Sequence, residues 1–165
     1  MNYCPNCGSV TTLQPVDGID RFVCKENDCN FIYWNNPVPV VAALVKLSGK
    51  YIIARNALWP NGIFSVITGY LEQKETPEEA VIREVSEELG LNSTVSRHIG
   101  NYSLFENNQV ILCYEVEATG SINMNHELVE IKRLSPKELL LWDFSPLSIT
   151  EKVIEDWKNN TKAHL

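Results

Sequence analysis

Long apolar runs and alternating segments after residue 37 set out most of the secondary structure of this chain. Six segments are rich in aliphatic and aromatic residues and are bounded by turn-forming residues, a pattern typical of strands. They are residues 38–47, 51–55, 64–67, 95–105, 109–118 and 128–134. Turn residues at Gly49 and at Asn107-Asn108 predict that the first two segments form one hairpin and that the fourth and fifth form another.

Three helices are predicted between and after these strands. Residues 76–79, Thr-Pro-Glu-Glu, have the features of a helix start: a threonine cap, a proline in the first turn and a glutamate that closes a capping box. Gly90 is a stop signal, and an apolar stripe precedes it at Val81, Val85 and Leu89. Further helices are predicted over residues 135–141 and 146–158. Strands interleaved with helices predict an α/β or α+β sandwich.

The helix that starts at residue 76 carries several glutamates on one face. At about 100° per residue, Glu84 and Glu88 lie about 40° apart and Glu87 flanks Glu84 by about 60°. We expect this face to point away from the apolar stripe. Like charges at this spacing repel one another, and a hard cation such as Mg²⁺ or Mn²⁺ would turn the repulsion into binding. A solvated acidic face without a ligand is the alternative.

Length and charge narrow the class of protein. A chain of 165 residues suits one domain, or one domain with a small appendage. The net charge of −7 does not favour nucleic acid or an anionic membrane as a partner. No apolar run reaches the roughly 18 residues of a membrane span, and the first residues do not form a secretion signal. We therefore expect a cytoplasmic protein without a membrane partner.

Four of the five cysteines lie in the first 36 residues, in two closely spaced pairs. The pairs, Cys4 with Cys7 and Cys24 with Cys29, have the spacing of zinc ligands. Four thiolates would close a structural tetrahedral site, and the metal would supply the folding energy of so short a segment. Disulfides are the alternative, which a reducing compartment disfavours. Cys113 lies within a predicted buried strand and is expected to be a core residue.

The segment from Gly69 to Leu91 resembles the Nudix box, G-x5-E-x7-R-E-U-x-E-E-x-G-U, in which U is aliphatic. Every defined position is matched, by Gly69, Glu75, Arg83, Glu84, Val85, Glu87, Glu88, Gly90 and Leu91. The resemblance implies an α/β/α sandwich around a mixed sheet. Two cysteine pairs followed by Asn36-Pro37 and a valine-rich strand resemble the zinc ribbon of the NADH pyrophosphatase-like branch. The implied domains are a small N-terminal zinc ribbon, residues 1–36, and a Nudix hydrolase domain, residues 37–165.

The family resemblance also implies a reaction and a set of metal ligands. Members hydrolyse a nucleoside diphosphate linked to another group, by Mg²⁺- or Mn²⁺-assisted attack of water on phosphorus, and release a nucleoside monophosphate. By motif position, Glu84 and Glu88 would be the principal metal ligands, and Glu87 would be a supporting ligand or the base. The carbonyl of Thr68 would help to hold metal. Gly69 would allow close approach of the backbone.

Further residues complete the expected site. Arg83 would orient the carboxylates by pairing with Glu75, so both residues would position the reacting groups rather than react. A glutamate beyond the box often completes the site in this family. Glu127 is the better candidate for it and Glu130 is the competitor, although either could be an exposed surface charge.

The substrate is less well defined by the sequence. Residues 92–105 lack the Ser-Gln-Pro-Trp-Pro-Phe-Pro segment usual in NADH pyrophosphatases, so NADH, FAD and ADP-ribose all remain candidate dinucleotide substrates. Four aromatic residues are expected near the cleft, where they would stack on a base or serve packing: Trp59, Tyr70, Tyr102 and Phe105. A non-catalytic Nudix-fold module that binds a nucleotide or a partner is the other hypothesis. A homodimer is compatible with the resemblance, but nothing in the sequence locates an interface.

Overall fold

In the computed structural model, which describes residues 1–162, the first 37 residues form one unit with its own antiparallel sheet. Its strands are β1 (Thr11–Val16), β2 (Ile19–Cys24) and β3 (Ile32–Tyr33), in the order β1-β2-β3. The chain reverses between the first two strands at Asp17-Gly18, where both residues have positive φ, as a two-residue hairpin turn requires. These strands were not predicted, because they are short and mostly exposed and show little alternation.

The second unit begins at Val38 and holds six strands and three α-helices among its described residues. Its elements in chain order are β4 (Val38–Leu47), β5 (Lys50–Asn56), β6 (Ile67–Tyr70), α1 (Pro77–Leu89), β7 (Asn92–Leu104), β8 (Gln109–Thr119), β9 (Leu128–Leu134), α2 (Pro136–Leu141) and α3 (Ser148–Lys162). A short 3-10 helix, Phe105–Asn107, joins β7 to β8. Both predicted hairpins are confirmed, since β4 pairs with β5 and β7 with β8, each in antiparallel fashion.

The six strands form one mixed sheet in the order β7-β8-β4-β5-β9, with β6 paired to the first half of β4. The pair β4 and β8 is parallel and the others are antiparallel. Alternate residues of β4 face opposite layers, as the period of a strand requires. Val41 and Val45 pack in the cluster that contains α1, whereas Val40 and Leu44 pack in the cluster that contains α2 and α3. The predicted α/β/α sandwich around a mixed sheet is therefore confirmed.

Three predicted elements differ from the structure. One is β7, which begins at Asn92, three residues earlier than the predicted segment 95–105. The short strand is β6, three residues later than expected, because the chain at Ser65 makes only an isolated bridge to Ala54. The last helix begins at Ser148 rather than at Pro146, because the backbone there is still turning, with the Leu147 N–H donating to the carbonyl of Phe144. It also continues past the last apolar residue, so periodicity alone placed its end too early.

Across residues 1–162, no helix is both long and apolar enough to cross a membrane.

Candidate functional site

Helix α1 is fixed at both ends by the features that the sequence predicts. The Thr76 side chain accepts a hydrogen bond from the Glu79 N–H, and the Glu79 carboxylate accepts one from the Thr76 N–H, which completes the capping box. Gly90 ends the helix in the left-handed conformation with φ 67°. The stripe predicted on this helix is fully buried. The caps and the buried stripe therefore fix the position and rotation of α1 against the sheet. These in turn determine where its glutamates lie.

One end of α1 and the neighbouring strand β6 border an acidic pocket of about 410 Å³. It contains most of the residues that the sequence singles out, together with two that it did not assign to a role, Glu72 and Gln109. The predicted residues that line it are Thr68, Gly69, Tyr70, Arg83, Glu84, Glu87 and Glu127. With Val40 included, residues from five separate parts of the chain line this one opening. Four of them are carboxylates: Glu72, Glu84, Glu87 and Glu127.

Glu88 differs from the expectation that the carboxylate face points away from the core. It is only 6% exposed and lines a small cavity beside the acidic pocket, together with Thr68, Asn56 and Trp59. Burial raises the pKa of Glu88 to about 8, and the neighbouring charges of Glu84, Glu127 and Glu87 add to the effect. The reason is geometric: position 88 lies on the boundary of the apolar stripe, about 60° from Val85.

Glu84 is held directly over the backbone of Gly69. A methyl group at residue 69 would overlap the Glu84 carboxylate, so alanine here would force that carboxylate to move. The constraint comes from this close approach and not from the φ angle of residue 69. Burial raises the pKa of Glu84, Arg83 opposes that shift, and the charges of Glu87 and Glu127 reinforce it. The predicted close approach at Gly69 is therefore present, and the group that approaches is a carboxylate of the same box.

Arg83 connects the carboxylates of this pocket. It binds Glu75 in a bidentate manner, with Nε–Oε2 at 3.1 Å and Nη2–Oε1 at 2.8 Å. Its Nη1 donates to Glu84 at 2.8 Å and to Glu87 at 3.0 Å, and its Nη2 also donates to the carbonyl of Tyr70. The hydrogen bonds from Arg83 hold the pKa of Glu75 below its usual range. The pairing of Arg83 with Glu75 that the sequence predicts is thus observed.

The two candidates for the additional glutamate lie in different surroundings. Glu127 lines the acidic pocket and raises the pKa of both Glu84 and Glu88 by its charge. Glu130, in contrast, forms ion pairs with Lys132 at 2.6 Å and with Arg55 at 3.4 Å. Only Glu127 is therefore placed among the carboxylates of the box.

The donor set of the acidic pocket fits a hard divalent cation. Carboxylates that raise one another's pKa gain most from a nearby positive charge, and carboxylate oxygens are the ligands that Mg²⁺ and Mn²⁺ prefer. Histidine, cysteine, aspartate and glutamate side chains can all bind a metal. Within residues 1–162, the four N-terminal cysteines are the only group of three or more of them whose ligand atoms all lie within 4.8 Å of one another. The glutamates share a pocket but are spread more widely than the cysteines.

The cysteine cluster has the dimensions of a tetrahedral metal site. The sulfur atoms of Cys4 and Cys29 are 3.7 Å apart, and those of Cys7 and Cys24 are 3.5 Å apart. A tetrahedron with metal–sulfur bonds of about 2.3 Å has edges of about 3.8 Å. All four thiols are free and too far apart for a disulfide bond of about 2.05 Å. Cys113 is free and fully buried, so its prediction as a core residue is confirmed.

An apolar cavity of about 400 Å³ lies beside the acidic pocket and shares Val40, Thr68 and Gln109 with it. Of the four aromatic residues expected near the cleft, Trp59 lines this cavity and Tyr70 lines the acidic pocket. The other two line neither pocket, so the alternative of core or surface packing applies to them. Tyr102 is buried in the core and donates to Asp156 at 3.0 Å, and Phe105 is 85% exposed and lines neither pocket.

Several residues of the apolar cavity carry no signal in the sequence. Ser65 follows Phe64 in an irregular segment, and Thr150 lies in the first turn of α3, yet the two side chains touch. They are far apart along the chain and belong to no motif. Only the fold brings them together, so they could not be found from spacing.

Comparison with protein families settles the classification. Residues 36–153 match the family model described as the NUDIX domain, which is well over half of the chain. This chain belongs to the Nudix family. A Nudix hydrolase from Nitrosomonas europaea has the same fold, with a TM-score of 0.80 at 21% identity over 93% of this chain and 88% of that one. A UDP-X diphosphatase superposes with a TM-score of 0.66 at 19% identity, over 81% of this chain and 66% of the other.

The curated relatives of this Nudix chain are longer proteins. The NAD-capped RNA hydrolase NudC of Vibrio parahaemolyticus is 29% identical over 101 residues, which are 61% of this chain and 37% of the relative. A human mitochondrial NAD(P)H pyrophosphatase is 36% identical over 89 residues, which are 54% of this chain and 24% of the relative. The alignment thus spans little more than a third, or less, of the length of these relatives.

Proposed function

We propose that this Nudix protein hydrolyses the diphosphate link of a dinucleotide and releases a nucleoside monophosphate. The observation that carries the proposal is the acidic pocket, where Glu84, Glu87 and Glu127 line one opening and Glu88 lies buried beside it. An exposed helix face without a ligand would not bury one of its carboxylates or raise its pKa to about 8. That arrangement supports a binding site for cations, as the box predicts.

Glu84, Glu88 and Glu127 are proposed to hold Mg²⁺ or Mn²⁺, with Glu87 and the carbonyl of Thr68 in support. When bound, the cation would neutralise the diphosphate and make water more acidic for attack on phosphorus. Before it binds, Glu88 carries a proton at neutral pH because its pKa is near 8. Cation binding is therefore expected to release a proton and to strengthen as pH rises from 6 to 8.

The other residues of the box are proposed to orient these groups. Arg83 keeps the carboxylates of Glu84 and Glu87 in place through one nitrogen, and Glu75 anchors Arg83 from the other side. Glu87 is more exposed than its neighbours, with 55% of its side chain accessible. It is therefore the carboxylate that could take a proton from the attacking water and pass it to solvent.

The substrate is proposed to be a dinucleotide such as NAD(H), with FAD and ADP-ribose as alternatives. Two of the relatives are named for NAD(P)H and for NAD-capped RNA, which supports a nicotinamide dinucleotide as the first compound to test. The neighbouring apolar cavity supports a substrate with an uncharged ring system beside its phosphates. The net charge of −7 supports a small-molecule substrate more than a long nucleic acid.

The decisive experiment compares two glutamate variants of the same helix. With Mg²⁺ and a panel of NADH, NAD, FAD, ADP-ribose and dNTPs, Glu88→Gln should lower the release of nucleoside monophosphate at least 100-fold. Glu79→Gln is the matched control, because it is exposed at the other end of α1 and glutamine can still close the capping box. It should retain the parent rate.

Equal turnover in Glu88→Gln and the parent chain would refute the assignment of the metal site. Pyrophosphate from dNTPs would keep the metal site but replace the dinucleotide as substrate. Tight nucleotide binding without any metal-dependent product would favour the non-catalytic Nudix-fold module.

We further propose that residues 1–36 form a structural zinc ribbon and that residues 37–165 form the Nudix domain, of which residues 163–165 lie outside the described part. The sulfur separations of the four cysteines support zinc as the metal. A hydrogen bond from the backbone of Ser9 lowers the pKa of Cys7 to about 6 and favours its thiolate, whereas burial and the neighbouring thiols raise the pKa of Cys24 and Cys29. Zinc binding is therefore expected to release protons from the latter two thiols. Elemental analysis of protein purified without chelator should find about one zinc per chain.

A further inference from the structure

The apolar cavity beside the acidic pocket is large enough for one part of a substrate. Its volume of about 400 Å³ is at the small end of the roughly 300–1,000 Å³ typical of ligand sites. Most of its walls are aliphatic: Ala42, Val66, Leu104, Ile111, Ile149 and Val153. Because it adjoins the acidic pocket, a group bound in it would lie next to phosphates held by the carboxylate site. Such a group would be one nucleoside rather than a whole dinucleotide.

Seven polar residues also line this cavity, and two of them, Ser65 and Thr150, are buried. The other five are exposed or half-buried: Thr68, Glu106, Asn107, Gln109 and Ser148. The oxygens of Ser65 and Thr150 are 2.8 Å apart, and the residues are 4% and 5% exposed. Both residues line the cavity. Ser65 is held by two backbone hydrogen bonds with Ala54, at 2.8 and 2.9 Å, and Thr150 is held in the first turn of α3. The pair is therefore mounted on backbone that is already fixed before any ligand arrives.

The hydrogen-bonding capacity of this pair exceeds what the protein uses. Each hydroxyl has one hydrogen to donate, and the contact between Ser65 and Thr150 consumes only one of the two. Among the described residues, neither hydroxyl has another partner. A buried donor without an acceptor costs free energy comparable to a lost hydrogen bond. A ligand that presents an acceptor here would therefore be preferred over one that does not.

We infer that the hydroxyl pair of Ser65 and Thr150 determines specificity in a nucleoside subsite, by donating one hydrogen bond to an acceptor atom on the edge of an uncharged heterocycle. The aliphatic walls and Trp59 contact the faces of the same ring. The inference rests on the proposed function, because the acidic pocket places the diphosphate next to the cavity. Adenine ring nitrogens and the carboxamide oxygen of nicotinamide share this acceptor chemistry, and the experiment separates them.

The test measures mononucleotide binding to the full zinc-loaded chain in Mg²⁺ by titration calorimetry. The probes are AMP and reduced nicotinamide mononucleotide, whose dihydropyridine ring is uncharged. The main variant is the double substitution Ser65→Ala with Thr150→Val, since either hydroxyl alone would still have a free hydrogen to donate. Its Kd for the preferred probe should rise about 5- to 20-fold. Thr150→Ser keeps both hydroxyls and is the matched control, with a Kd within about 2-fold of the parent chain.

Deaza analogues of AMP show whether the effect is a hydrogen bond or a change in packing. If adenine is the ligand, one of the 1-, 3- and 7-deaza analogues should bind the parent chain more weakly by the same factor. That analogue should bind the double variant no more weakly than it binds the parent. If reduced nicotinamide mononucleotide is the probe that loses affinity, the subsite takes the nicotinamide end. Equal affinity of parent and double variant for both probes would overturn the inference.

Binding and turnover separate this inference from the proposed function. One outcome would refute the subsite alone: hydrolysis depends on Glu88, but mononucleotide binding is unchanged in the double variant of the hydroxyl pair. Binding that depends on the pair in a chain that hydrolyses no dinucleotide would support the subsite and refute the hydrolase.

Discussion

Replacing Glu88 by glutamine should stabilise the cation-free protein while it abolishes cation binding. Glu88 is buried and its pKa is raised to about 8, whereas in the unfolded chain it has the ordinary value near 4.5. At a pH between these two pKa values, Glu88 is protonated in the native protein and ionised in the unfolded chain. Since the native state binds more protons than the unfolded state, stability falls as pH rises through this window. Glutamine at position 88 does not titrate, so it does not contribute this loss of stability with rising pH.

The size of the effect follows from the pKa difference. From pH 4.5 to 7, about 2.5 pH units at about 1.4 kcal/mol each give a loss of about 3 kcal/mol in the free energy of unfolding. For a chain of this length, each kcal/mol corresponds to about 2–4 °C in Tm. In resin-treated buffer without divalent cations, Glu88→Gln should therefore exceed the parent Tm by only about 1–3 °C at pH 5 and by about 6–12 °C at pH 7.

The assay is thermal unfolding followed by circular dichroism from pH 5 to 8, with zinc left in place. Glu79→Gln is the control, because Glu79 is exposed and should keep the pH dependence of the parent chain. Adding Mg²⁺ to about 10 mM at pH 8 should raise the Tm of the parent, because a ligand stabilises the state that binds it. The Tm of Glu88→Gln should not change. Parallel Tm curves for parent and Glu88→Gln would refute the burial argument.

Three further variants test the remaining parts of the two proposed metal sites. Gly69→Ala should weaken Mn²⁺ binding at least tenfold in calorimetric titration, because its methyl group would displace the Glu84 carboxylate; unchanged affinity would contradict the close approach. Arg83→Lys should lower kcat at least tenfold in the hydrolysis assay, since lysine cannot bind Glu75 in a bidentate manner; a parental rate would show that the pair does not orient the site. Cys24→Ser should lose zinc by elemental analysis and lose amide-exchange protection in the first 37 residues, and full zinc content would reject the four-thiolate site.

The parts of the site that the sequence predicts are those whose residues lie close together in the chain. Helix α1 could be placed to the residue because its start and stop signals are local, and its apolar stripe fixes the side that packs on the sheet. The pairing of Arg83 with Glu75 follows from the motif and is observed at 2.8–3.1 Å. The cysteine cluster could also be predicted from local sequence, because each of its two ligand pairs has a short spacing.

The parts that could not be predicted depend on which segments the sheet brings together. The parallel pairing of β4 and β8 has no local signal, yet it sets Gln109 opposite Val38 and Ile111 opposite Val40. Through this register Gln109 and Val40 both come to line the two pockets. Ser65 and Thr150 are 85 residues apart and meet only because α3 packs on the same face of the sheet. Periodicity describes how one element is rotated, and it contains no information about what lies opposite.

At Glu88, the helical periodicity of the sequence and the packing of the fold lead to different expectations. Helical spacing groups it correctly with Glu84, but spacing alone counts it as part of a solvated face. Helix α1 packs on the sheet through Val85, about 60° away on the helix surface, so the sheet covers the boundary residue as well. Burial then raises the pKa of the carboxyl, which lowers the stability of the cation-free fold as the pH rises above 5. The proposed cation would remove this cost by taking the place of the proton. Because this carboxylate costs stability unless a ligand is present, its burial supports the proposed cation site more strongly than the motif alone does.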